Sequence, residues 1–202
     1  VCVPIQFVYP KPKQLSFEEA ASVPLAAMTA YRATSLLKNM EPQGSIFVAG
    51  AAGGVGGFAL QFIRHFYSDA IFTVAGSEKT QAFLEKQLGV HQEHITRYKD
   101  QTTEALAEKL IMLNGGSRFF ASFDFVGGSM KELCIELTGF LGHFVTIVPE
   151  ETQVPWAKRN RCFQYSISVH PTTIASEAYL GAEKDWGIYS KSLAHITKLI
   201  EA

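Results

Sequence analysis

Glycines crowd one short stretch of this sequence, with Gly50, Gly53, Gly54, Gly56 and Gly57 in quick succession. The apolar run Ile46-Phe47-Val48-Ala49 leads into them, and Phe58-Ala59-Leu60-Gln61-Phe62-Ile63 follows. A strand that runs into glycines and then into a helix is what a dinucleotide pyrophosphate requires. The chain must turn sharply, the backbone must come close to the phosphates, and the helix N-terminus must offer its N–H groups to them. Ala51, Gly53 and Gly56 take the three spaced positions of that fingerprint, with alanine where its first glycine usually stands. Gly54 and Val55 open the helix. Strand, turn, helix and next strand all fit within about thirty residues, which is the context the fingerprint requires.

The end of the second strand separates NAD from NADP. An NAD site carries an Asp or Glu there for the ribose 2′-hydroxyl. This chain reads Thr73-Val74-Ala75-Gly76-Ser77-Glu78-Lys79. Gly76 and Ser77 leave room for a 2′-phosphate, and Lys79 offers it a positive charge. A Glu78 carboxylate facing the phosphate would repel it, so Glu78 is expected to point outward as an acid at a helix N-terminus. The expected cofactor is NADPH.

The elements that would position these groups alternate along the chain. Strands are expected over Ser45–Ala49, Ala70–Ala75, Phe119–Val126, Gly142–Val148 and Cys162–Val169, with a weaker one near His94–Tyr98. Helices are expected over Gly54–Phe66, Glu78–Leu88, Thr102–Leu113, Met130–Thr138 and Tyr189–Ile200. Such alternation predicts an α/β fold: a Rossmann-type, doubly wound parallel sheet of about six strands with helices on both faces. Ser16 ahead of Glu18 and Glu19 marks an earlier helix start. Glu150–Arg161 and Pro171–Asp185 read as longer loops, with Lys158, Arg159 and Arg161 as a solvated basic cluster.

Composition narrows the function classes. At 202 residues, with 47% apolar and 18% charged residues and a net charge of −1, the chain gives no reason to expect nucleic acid or an anionic membrane surface. Ser45 to Ile63 is uncharged over a membrane-spanning length, but its central glycines make it strand, turn and helix. Cys2, Cys134 and Cys162 are odd in number and far apart, which suits a reducing, cytoplasmic setting better than a disulfide framework. The last residues read as the middle of a helix and the first lack a domain-like beginning, so a piece of a longer polypeptide is expected. Residues 1–40 are expected to be a lead-in and linking helix from a further catalytic domain, and 41–202 a truncated dinucleotide domain.

Taken in order and spacing, these stretches resemble the quinone oxidoreductase (zeta-crystallin-like) branch of the medium-chain dehydrogenase/reductase superfamily. The resemblance rests on Leu15 to Ala21, Met28-Thr29-Ala30-Tyr31, Gly50 to Gly56, Ala75-Gly76-Ser77 and Asp124-Phe125-Val126-Gly127-Gly128. It implies that Thr29, Val126, Ile147 and Val148 lie near the nicotinamide and that Tyr98 packs by the adenosine phosphate. The family often carries lysine three residues after the phosphate-loop serine, where this chain has Thr80, and an aspartate where it has Phe120.

Zinc enzymes of the same superfamily place a cysteine ligand a few residues before the threonine matched by Thr29. The corresponding stretch here, Val23-Pro24-Leu25-Ala26-Ala27, holds no thiol, imidazole or carboxylate. His91 and His94 read as surface histidines, so no metal is expected. Hydride transfer needs no protein nucleophile, because the cofactor carries the chemistry. The expectation is a zinc-free, NADPH-dependent reductase of quinones or α,β-unsaturated carbonyls. The alternatives are an enoyl-thioester reductase, stand-alone or within a synthase, and a catalytically silent cofactor-binding protein. No catalytic residue is assigned, and a homodimer through the last strand is expected.

Overall fold

The computed structural model describes residues 2–41, 44–68, 70–149 and 156–202, with backbone alone at 156–159. In chain order, α1 (Phe17–Ala21) opens on a capping box in which the Ser16 hydroxyl accepts from the Glu19 N–H and the Glu19 carboxylate from the Ser16 N–H. A single π-turn over Val23–Ala27 leads into α2 (Met28–Thr34). Then come β1 (Ile46–Ala49), α3 (Gly54–Phe66), β2 (Ile71–Ala75), α4 (Glu78–Lys86), β3 (Ile95–Arg97) and α5 (Thr103–Leu113). The second half holds β4 (Phe119–Asp124), α6 (Ser129–Leu137), β5 (Thr138–Thr146), α7 (Trp156–Gln164), β6 (Ser168–Pro171), α8 (Ser176–Tyr179) and α9 (Gly187–Glu201).

The six strands are parallel, in the order β3-β2-β1-β4-β5-β6. Strand residues alternate between two cores, as the period of two demands. Ile46, Val48, Phe123 and Val145 face Leu60 and Ile63 of α3. Phe47, Phe119 and Phe144 face Leu106, Leu110 and Leu133 of α5 and α6. The central strands are buried on both sides, which is why they read as unbroken apolar runs. A third cluster joins α2 to α3 and α9 through Ala27, Ala30, Ala59, Phe62 and Ile196.

Register lines up the strand ends. Ala49 stands opposite Asp124, Asp124 opposite Thr146, and Thr146 opposite Pro171. The turns that leave β1, β4, β5 and β6 therefore emerge side by side along one edge of the sheet. Ligands of open α/β sheets bind at this edge, where the strand order reverses between β1 and β4.

Several expectations fail near the end of the chain. The last strand is Ser168–Pro171, not Cys162–Val169, because Cys162 lies in α7 and Ser166 turns the chain at φ 50°. Arg161 is buried rather than solvated. Its guanidinium donates to the carbonyls of Ile135 (3.0 Å) and Thr138 (2.9 Å), which are left without helical partners where α6 gives way to β5. The segment expected as a loop over Glu150–Arg161 is helical from Trp156, and 150–155 lie outside the described residues. Among the described residues no helix is long and apolar enough to cross a membrane.

Candidate functional site

The glycine turn is built from backbone constraints. Gly50 takes φ 81°, a conformation that favours glycine, and a β-carbon there would stand 2.8 Å from Val126 Cγ2. Gly50, not the buried Ala51, therefore makes the sharp turn off β1. The sequence reading included Gly50 in the turn but gave the first fingerprint position to Ala51, although Gly50 is the first glycine after the strand. At Gly56 a β-carbon would lie 2.1 Å from the Gly50 carbonyl oxygen and 2.6 Å from Ala51 Cα, so glycine is needed for α3 to seat against the turn.

Gly53 precedes α3 with no side chain capping the first turn, and Gly53 and Gly54 are exposed while Val55 packs toward α2. The first-turn N–H groups of α3 thus face open space, as an anion site at a helix N-terminus requires. A groove of about 260 Å³ runs beside them, lined by Gly53, Gly54, Gly57 and Phe83 among others.

The corner after β2 gathers Gly76, Ser77, Lys79 and Tyr98. The Tyr98 hydroxyl fills the space over Gly76, and the Ser77 hydroxyl caps α4 by accepting from the Thr80 N–H at 3.1 Å. Lys79 is exposed. Glu78, expected to point outward, is exposed and pairs with Arg97 at 2.8 Å, so its charge stays beside this corner. Arg97 is the cation that reading missed. The parallel register of β2 and β3 sets it opposite Ala75, one residue from the corner, and only that pairing could have revealed it.

At the other end, the buried Asp124 organises two turns. Its Oδ1 accepts from the N–H groups of Val126 (3.1 Å) and Gly127 (2.7 Å), and its Oδ2 from the Thr146 hydroxyl (2.8 Å). A β-carbon at Gly127 would meet Val148 Cγ1 at 2.8 Å, so the turn carrying Val126 and the tail carrying Ile147 and Val148 are in contact. Burial, and then the Asp124 charge, push the Cys134 thiol beneath them well above its usual range, which leaves it a neutral core group.

A cavity of about 580 Å³ opens beside these tails, lined by Arg32, Thr146 to Pro149, Pro171 to Thr173 and Ser176. Arg32 forms a two-pronged ion pair with Glu177 and donates to the Thr173 carbonyl at 2.8 Å. That hydrogen-bonded pairing raises the Arg32 pKa and lowers the Glu177 carboxyl, so both stay charged. Thr29, one turn before Arg32, gives its hydroxyl to the Leu25 carbonyl (2.7 Å). Eleven of the twelve expected residues thus fall at three places along one sheet edge. Thr29 lies on α2, where no described contact joins it to the others.

His91 and His94 make a turn before β3, and the His94 ring stacks on Phe72 at 4.0 Å. Among the described residues, no group of three or more His, Cys, Asp or Glu side chains is arranged to hold a metal ion.

No family model matches the chain. Over 190 residues it is 25% identical to the highly reducing polyketide synthase AN6791 of Emericella nidulans, a match covering 94% of this chain and 7% of that protein. The solved structure of CurK enoyl reductase superposes with a TM-score of 0.77 at 25% identity, over 99% of this chain and 57% of that one. This fold is that of the nucleotide-binding half of medium-chain dehydrogenases/reductases. A quinone oxidoreductase of Pseudomonas syringae pv. Tomato shares it, with a TM-score of 0.75 at 18% identity, over 98% of this chain and 59% of that one. At that identity the likeness concerns the fold alone. The chain spans little more than half of these solved relatives and a small fraction of the synthase.

Proposed function

We propose that this chain is the cofactor-binding half of an NADPH-dependent enoyl reductase that acts on an α,β-unsaturated thioester. The reading rests on one observation above all: the uncapped α3 N-terminus, the Gly76–Tyr98 corner and the Val126–Val148 contact lie along one edge of a parallel sheet. Those three places match the pyrophosphate, the adenosine phosphate and the nicotinamide of an extended dinucleotide. NADPH supplies the hydride when bound.

The chain's own residues then have distinct tasks. Gly54 and Val55 present N–H groups to the pyrophosphate, while the Gly53 N–H is held by the Gly50 carbonyl at 2.9 Å and shapes the turn beside them. Ser77, Lys79, Tyr98 and Arg97 surround the 2′-phosphate. Val126, Ile147 and Val148 form an apolar wall that fixes the ring and keeps water from it. The thioester in place of the quinone rests on the synthase relative and on the enoyl reductase structure. Over nearly the whole chain, both are more similar in sequence than the quinone oxidoreductase structure is.

The test is turnover by the full-length protein. Loss of reduced-nicotinamide absorbance is followed with a short enoyl thioester on a pantetheine arm, and separately with a simple quinone. Faster reduction of the thioester, with NADPH preferred to NADH, is expected. Reduction of the quinone alone would restore the original substrate expectation, and NADPH binding without turnover of either would mark a silent cofactor-binding protein.

A further inference from the structure

Lys131, in the first turn of α6, is only 5% exposed. Its Nζ donates to the Val148 carbonyl oxygen at 2.8 Å, and among the described residues no carboxylate pairs with it. A nearly buried ammonium with no anionic partner is costly, and a position that served packing alone would be filled more stably by an apolar side chain. The acid in the same hydrogen-bond network is Asp124, whose oxygens are engaged by Val126, Gly127 and Thr146. Arg32 and Glu177, across the neighbouring cavity, offset each other's charge. Lys131 therefore holds a positive charge without a direct anionic partner at the tail of β5, with the Asp124 carboxylate as the opposing charge in the same network.

We propose that Lys131 sets the electrostatics of the nicotinamide end and favours the reduced cofactor over the oxidised one. The inference rests on the reading that Val126, Ile147 and Val148 neighbour the nicotinamide. The oxidised ring carries a positive charge and the dihydro ring carries none. A fixed cation beside the ring, in a partly desolvated cleft, opposes the oxidised form and leaves the reduced form almost untouched. Asp124 acts in the opposite sense, but removing Lys131 alone shifts the balance in one direction whatever Asp124 contributes. The consequence for a reductase is tighter holding of NADPH and easier release of NADP⁺.

The experiment measures affinities rather than turnover. Titration calorimetry on the full-length protein gives Kd for NADPH, NADP⁺ and adenosine 2′,5′-bisphosphate. The proteins compared are wild type, Lys131→Met, Lys131→Gln and Lys131→Arg. Lys131→Gln keeps an N–H donor for the Val148 carbonyl and guards against loss of the fold in Lys131→Met.

The affinity ratio of NADPH to NADP⁺ should fall about fivefold in the two neutral variants, the size of a modest charge–charge interaction. It should hold in Lys131→Arg, and adenosine 2′,5′-bisphosphate should bind all four proteins alike. An unchanged ratio in Lys131→Gln overturns the proposal, as does an equal loss of both cofactors, which would make Lys131 a structural staple between α6 and β5. Failure of the wild type to bind either cofactor would remove the cofactor reading itself, and this inference with it.

Discussion

The Tyr98 hydroxyl stands 2.7 Å from where a β-carbon on Gly76 would lie, and its ring carbon Cζ stands 3.1 Å away. Side chain and glycine thus define each other's place at the corner after β2. Gly76→Ala should push the ring aside and cost about 1–2 kcal/mol, the range for mild overpacking. Because the obstacle is a partly exposed side chain rather than backbone, the double variant Gly76→Ala/Tyr98→Ala should recover part of that loss. Denaturant unfolding of the two single variants and the double one gives the coupling directly. Strict additivity would mean that the contact carries nothing.

Gly56 contrasts with Gly54 two residues earlier. A β-carbon at Gly56 would meet the Gly50 carbonyl and Ala51 Cα, neither of which can rotate away. Gly56→Ala should therefore lift α3 from β1 and cost about 3 kcal/mol or more. At Gly54 the nearest atom to a new β-carbon is Ala26 Cβ at 3.8 Å, an ordinary contact. Gly54→Ala should change stability by less than about 1 kcal/mol, since helix propensity favours alanine. Thermal unfolding of the two variants checks the order, and equal losses would contradict this account of the turn.

Much of this was readable in the residues, for physical reasons that also mark where reading stops. Strands buried on both faces show as apolar runs, so β1, β2 and β4 were found nearly to the residue. The glycine turn was found because a local fingerprint encodes it, yet the role of Gly50 depends on its meeting Val126 in the turn after β4. Arg161 looks solvated because its partners, the carbonyls of Ile135 and Thr138, are backbone atoms that leave no mark on composition. Arg97 escaped for the same kind of reason, since its place beside the corner is set by sheet register. What was missed depends on contacts between distant segments.

Arg97 and Glu78 should govern cofactor choice while contributing little to stability. Their side chains are 42% and 88% exposed, so the pair itself contributes well under about 1 kcal/mol to folding. Arg97→Ala should weaken NADPH binding about tenfold, the effect of losing one charge-assisted phosphate contact, and leave NADH nearly unchanged. Glu78→Gln should act the other way, because it frees the guanidinium and removes a nearby negative charge. Competition binding with the two cofactors reads both changes. Parallel losses for NADPH and NADH in Arg97→Ala would place the 2′-phosphate elsewhere.

His143 and His170 supply a pH dependence of known sign. His143 Nδ1 and His170 Nε2 lie 3.0 Å apart on neighbouring strands at the β6 edge. Burial lowers the pKa of both, and for His143 the neighbouring His170 lowers it further. The hydrogen bond between two imidazoles needs one nitrogen without a proton, so it survives only while at least one ring is neutral. The unfolded chain carries no such restriction and takes up protons near the ordinary value of about 6.5. Stability from this pair is therefore present above that pH and is lost as the pH falls through and below it. Melting temperature should drop on acidification from about pH 7 to about pH 5.5, with a shallower slope in His143→Asn/His170→Asn. A double variant with the same slope as the wild type would show that other groups carry the acid sensitivity.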